Sequence, residues 1–241
     1  MTRIADQKGL VCSFGDLASG LGGMAWDLGE AGGIELMGGE VRAGSFGIEE
    51  GGDAATVAIG VGDELLEAVL APQIEAVPLQ SAEAQGAQLL VTPSSAEVHP
   101  RGGGKTVECP GQISRWTTDP LEPTGTFRHL TIAGPEGTLV VAVSKGEQGL
   151  EGHGDEQVSA WLVDADGQER RFEEALISTQ YDGEGQPTRA GLELWLGEDS
   201  PPTRIACSLL GGTDAGGLWA GLFRCHTDGT EGLGSYLLRR A

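Results

Sequence analysis

A chain of 241 residues with 39% hydrophobic content is long enough for one large all-β domain or two small ones with a buried core. Its 36 acidic against 15 basic side chains give a formal charge of −21, which repels phosphate backbones and anionic lipid surfaces and argues against a nucleic-acid partner. No stretch approaches the ~18 consecutive apolar residues of a membrane span, so no membrane insertion is expected.

The start, MTRIADQKGL, has no apolar run behind its early arginine, and the expected location is cytoplasmic. In the first half, strand-like segments fall at 10–14, 24–28, 33–37, 41–48, 55–61, 73–79, 87–92 and 106–116. The segment GDELLEAVLAP is open to two readings. Leu65, Leu66, Val69 and Leu70 could line one helical face that Pro72 stops, or a strand could run through 67–70. The stretch TTDPLEPTG at 117–125 has two prolines and no apolar periodicity, and reads as a linker between halves 1–120 and 121–241.

The second half carries the clearest pattern. Asp166-Gly167, Asp182-Gly183 and Asp228-Gly229 each sit between short apolar runs, and aspartate followed by glycine supplies the positive φ of a tight hairpin. Strands are expected at 127–133, 138–144, 157–164, 170–179, 188–196, 203–210, 218–226 and 234–239, the density of an antiparallel barrel or sandwich. LVVAV at 139–143 is apolar on both faces and must be covered twice, by a second sheet or a bound apolar molecule. A loose echo between 38–57 and 152–171 suggests internal duplication, against chance similarity in a Gly- and Glu-rich chain.

Several chemistry-bearing patterns fail on inspection. RGGGKT at 101–106 ends like a phosphate loop, but His99 stands where the first glycine belongs and strand, not helix, follows; it reads as a hairpin loop. Asp164, Asp166 and Glu169 resemble the front of a calcium loop that lacks its later ligands. Cys225 and His226 alternate to opposite faces, so a metal there would need distant partners such as His153 or His129, and no metal site is assigned. Cys12, Cys109, Cys207 and Cys225 form no CxxC pair and read as reduced core residues. No GxSxG, HExxH or dinucleotide fingerprint occurs.

For acid–base work the candidates are His153, Asp155, Glu193, His226 and Tyr181. His153 lies among glycines, with Asp155 near enough to hold a tautomer; a solvent-exposed loop histidine is the plainer alternative. Glu193 shares a strand face with Trp195, and an acid beside an aromatic wall in an interior would have its pKa raised; on an outer face it would only aid solubility. The five tryptophans, Trp26, Trp116, Trp161, Trp195 and Trp219, could wall a cavity or simply pack a core.

The hairpin order of the second half, the turn YDGEGQP followed by RAGLELWL, and the ending FRCHTDGTEGLGSYLLRR resemble the C-terminal part of the carotenoid 1,2-hydratase-like proteins, a lipocalin-related group. Where that family has an acid shortly after its last glycine, Ser235-Tyr236 follows Gly234 here, so no catalytic role is carried over for this strand. The resemblance implies two tandem antiparallel lipocalin-like halves and a hydrophobic small-molecule ligand of isoprenoid, steroid or polycyclic type. It also implies hydration, dehydration or cyclisation without a cofactor. Glu193 would then move the proton with Tyr181, His153 or Asp155 nearby, and Trp26, Trp161, Trp195, Trp219 and Tyr236 would line the ligand. A non-catalytic carrier is the alternative.

Overall fold

The structure, a computed structural model, describes residues 7–80, 88–101, 104–122, 125–134, 138–146, 156–197, 200–227 and 229–240. Two nine-stranded antiparallel sheets account for it, and no helix occurs among the described residues.

The first sheet comprises β1 (Gly9–Asp16), β2 (Leu21–Asp27), β3 (Ala31–Met37), β4 (Glu40–Gly51), β5 (Ala54–Val61), β6 (Glu64–Pro72), β7 (Val77–Gln80), β8 (Gln88–Arg101) and β9 (Val107–Trp116). Strands β1 to β6 run as a meander, β9 pairs back on β1, and the long β8 pairs with both β7 and β6. The β6–β8 pairing closes eight strands into a barrel. GDELLEAVLAP is therefore strand. Leu66, Ala68 and Leu70 alternate inward and are fully buried, which is period two and not a helical face.

The second sheet comprises β10 (Phe127–Ala133), β11 (Leu139–Lys145), β12 (Gln157–Val163), β13 (Glu169–Arg171), β14 (Glu174–Tyr181), β15 (Pro187–Trp195), β16 (Thr203–Ala215), β17 (Leu218–Thr227) and β18 (Thr230–Arg239). It curls into a half-barrel, with β10 paired to β18 at its centre and β13 and β14 as its edges. The expected strand at 170–179 is broken at Phe172-Glu173. There the Phe172 amide donates to Ala160 O at 3.0 Å and the Glu173 amide to Trp195 O at 2.8 Å, carrying the chain from one edge to the other. The echo at 38–57 falls on the fourth and fifth strands of the first sheet, whereas 156–171 falls on the third and fourth of the second. Its residues 152–155 lie outside the described ones.

Of the three Asp-Gly hairpins named above, the two whose aspartates are described share one construction. Asp164 Oδ1 accepts from the amides of Asp166 and Gln168, Asp182 Oδ1 from those of Glu184 and Gln186, and the positive φ falls on Gly167 and Gly185. In YDGEGQP the left-handed residue is thus the second glycine, not Gly183. The aspartate is engaged in organising the loop, which also explains the calcium-loop look of DADG. At the third hairpin Gly229 has φ 83°, while Asp228 lies outside the described residues.

The barrel and half-barrel pack face to face. LVVAV is covered on both sides as its pattern requires: Leu139, Val141 and Val143 meet the first sheet, while Val140 and Ala142 face the half-barrel interior. The first barrel is filled by its own side chains, among them Phe14, Ile59, Leu66 and Ile113. Each such fully buried aliphatic or aromatic group contributes roughly 1.5–3 kcal/mol.

The cysteine reading needs correction. Cys207 and Cys225 stand opposite each other on the adjacent strands β16 and β17 and form a cross-strand disulfide on the inner face of the half-barrel. Cys12 and Cys109 are free and buried, and burial pushes each thiol up to about 12. Only these two match the reduced-core expectation, and a cross-strand disulfide removes the cysteine argument for a cytoplasmic location. No helix among the described residues is long and apolar enough to cross a membrane.

Candidate functional site between the two barrels

Strand alternation decides which side chains reach the layer between the sheets. On β9, Gln112, Ser114 and Trp116 point there; on β10, Phe127, His129 and Thr131 do. The layer is mostly apolar, with Trp26, Trp116, Trp161, Phe127, Leu237 and neighbours in one buried cluster.

Four ring nitrogens in this region are buried and have no hydrogen-bond partner: Nε1 of Trp26, Trp116 and Trp161, and Nε2 of His129. A buried amide-like group without a partner costs about 1–3 kcal/mol, and a native core seldom leaves several in one place. His129 is 1% exposed, and its ring meets Trp116 edge to face at 5.6 Å between centroids. Burial lowers its pKa to about 4, so the imidazole is neutral near pH 7 and carries one donor and one acceptor nitrogen.

Next to His129 on the same face runs a polar stripe that bridges the sheets. Gln112 Nε2 donates to Ser13 Oγ at 3.0 Å and to Thr131 Oγ1 at 3.5 Å, Ser114 donates to Gln112 Oε1 at 2.7 Å, and Ser235 donates to Ser13 at 3.1 Å. Thr131 and Ser235 share a 2.6 Å bond. These short polar groups fix the relative position of the sheets beside the apolar layer, an arrangement suited to orienting a mostly greasy molecule.

The residues expected from the sequence do not converge. Glu193 lies on the outer face of β15, 42% exposed, with its Oε1 accepting from Arg204 Nε at 3.0 Å; an interior acid is contradicted. The reason is register: Ala190, Leu192 and Leu194 fill the interior, so Glu193 and the partly exposed Trp195 must face outward. Tyr181 is exposed at the end of β14 and stacks under the Arg240 guanidinium at 4.5 Å. His153 and Asp155 lie outside the described residues. His226 is exposed, Cys225 is bound in the disulfide, and no group of three metal-ligating side chains is found among the described residues.

The expected indole wall is divided. Trp26 and Trp161 belong to the inter-sheet layer, whereas Trp219 is inside the half-barrel, edge to face with Phe223 and Tyr236 at 6.0 and 6.1 Å. Tyr236 bonds Thr179 at 2.9 Å, and burial pushes its hydroxyl up to about 12. Thr179 in turn accepts from Arg128, whose other nitrogen meets Glu156 at 2.8 Å, and Ser144 donates to Glu156 at 2.5 Å. Tyr236 is thereby held in a hydrogen-bonded interior network away from the layer. Of the residues that do meet, Trp116 was readable as cavity wall or core, and His129 only as a remote metal partner. Their signal was the alternation Phe127, His129, Thr131 against Arg128, Leu130, Ile132.

No protein-family model matches the chain, and no curated protein matches it either. Solved structures do. A Nitrosomonas europaea protein provisionally named AttH superposes with TM-score 0.68 at 14% identity, over 96% of this chain and 91% of that one. CghA matches with TM-score 0.59 at 10% identity, over 97% and 87%. Kievitone hydratase from Nectria haematococca matches with TM-score 0.52 at 11% identity, over 98% and 89%. The chain shares their fold along nearly its whole length, and one of them is by name a hydratase.

Proposed function

We propose that this protein binds an apolar small molecule, of isoprenoid, steroid or polycyclic type, in the layer between the two barrels. There it catalyses a cofactor-independent hydration, dehydration or cyclisation in which His129 moves the proton. The observation that carries the reading is that the inter-sheet layer buries four unpartnered ring nitrogens, three of indoles and one of a neutral imidazole. The hydratase and CghA folds, the latter also solved with Sch210972, support it as analogies of fold.

In the dehydration direction, His129 Nε2 takes a proton from the carbon next to the one bearing a hydroxyl. The C–H electron pair becomes the alkene, and the imidazolium hands the same proton to the departing hydroxyl, which leaves as water and returns His129 to its neutral form. A histidine that gives up charge so readily returns its proton well, and the surrounding indoles shield any positive charge on carbon. Hydration is the reverse.

The test is incubation with a panel of terpenoid alcohols in heavy water, read by mass spectrometry. Deuterium should enter carbon with the wild-type protein and with Glu193→Gln, and not with His129→Gln. Binding without exchange by the wild-type protein would make it a carrier, and exchange that survives His129→Gln would remove the role given to His129.

A further inference from the structure

A groove of about 510 Å³ opens where β3 and β4 meet the far end of β16, lined by Trp26, Gly32, Gly33, Ala43, Phe46 and Ala215 with their neighbours. That volume suits a three- or four-ring molecule. Its wall is made of small residues for a physical reason. A Cβ on Gly32 would lie 2.4 Å from Trp26 Cζ2, so the absent side chain is what lets the indole lie against β3. Trp26 belongs at once to this groove and to the inter-barrel layer, and it is fully covered. Its Nε1–H has nothing to donate to.

An indole nitrogen is a donor only, and so are all three unpartnered tryptophan nitrogens of the layer. A bare hydrocarbon would leave each of them unsatisfied, whereas a carbonyl or ether oxygen would supply the missing acceptor. Resting on the reading of the layer as the ligand site, we propose that the groove is the ligand's port and Trp26 its gate. The preferred ligand is then a flat apolar ring system bearing an acceptor oxygen and not a pure hydrocarbon.

The probes are 9-fluorenone and fluorene, which share the tricycle and differ in the carbonyl. Isothermal titration calorimetry should show fluorenone binding about tenfold more tightly to the wild-type protein, the value of roughly one hydrogen bond. The Trp26 indole N–H resonance should move downfield with fluorenone only. Trp26→Phe, which keeps a ring but no donor, should bind the two probes alike. Ala43→Trp, a change at an exposed position that fills the groove, should bind neither. Equal binding of the two probes to the wild type, a still Trp26 resonance, or an Ala43→Trp variant that binds as before would each overturn the proposal.

The two proposals separate cleanly. His129→Gln should keep the ketone preference. If the probes behave as expected but no deuterium is exchanged, the chemistry fails and the port stands. If exchange depends on His129 and is untouched by Ala43→Trp, the port fails alone.

Discussion

Arg115 and Glu50 close one end of the first barrel: Arg115, only 2% exposed, donates from Nε to Glu50 Oε1 at 2.9 Å. Arg42 holds the fully buried Glu35 at 2.6 Å eight residues away on β4 from Glu50, roughly 26 Å at strand rise and so at the other end. Removing Glu50 would leave a buried guanidinium with Thr92 Oγ1 and Asp53 O as its acceptors among the described residues. Glu50→Ala should cost about 2 kcal/mol, discounted for the carboxylate's partial exposure. Adding Arg115→Met should recover most of the loss, as a urea double-mutant cycle will show.

His129 makes stability depend on pH in a defined window. Its folded pKa of about 4 lies below the ordinary 6.5, so the unfolded chain takes up a proton that the folded one refuses. The penalty is absent above about pH 6.5 and grows as pH falls towards 4, where it reaches about 3 kcal/mol. Urea midpoints at pH 7.5 and 4.5 should converge when His129→Phe is compared with the wild type, because the ring contact with Trp116 survives and the titration does not.

The Cys207–Cys225 bond closes a loop with a sequence separation of 18. By chain entropy it contributes about 3 kcal/mol. Reductant should lower the melting temperature of the wild type to that of the Cys207→Ala/Cys225→Ala double variant, and leave the variant unmoved.

Trp219 needs the emptiness beside it. A Cβ on Gly221 would sit 2.2 Å from Trp219 Cη2, and the indole, hemmed by Phe223 and Tyr236, has nowhere to go. Gly221→Ala should destabilise by about 1–3 kcal/mol, and Trp219→Phe in the same chain should relieve part of it, as thermal melts will report.

Much of the fold could be read from period-two apolar runs and their turn residues, because alternation marks a strand and the turn residues mark where it ends. LVVAV announced a second layer correctly. The site was harder, since alternation says that two faces differ but not which is inside: Leu192 and Leu194 are as apolar as an interior face demands, and they send Glu193 and Trp195 to solvent. The meeting of Trp116 with His129 depends on how two sheets seat against each other, which no local window encodes. The 207–225 disulfide likewise follows from the register of β16 and β17, not from cysteine spacing.

In both sheets the first strand pairs with the last: β1 with β9, and β10 with β18. Those four strands meet at the centre of the molecule, through contacts such as Ser13 with Ser235, 222 positions apart. Contacts of such long range are the last an emerging polypeptide can make. The polar stripe and the imidazole's setting beside it thus come into existence only when both sheets have assembled, and neither half would form them alone.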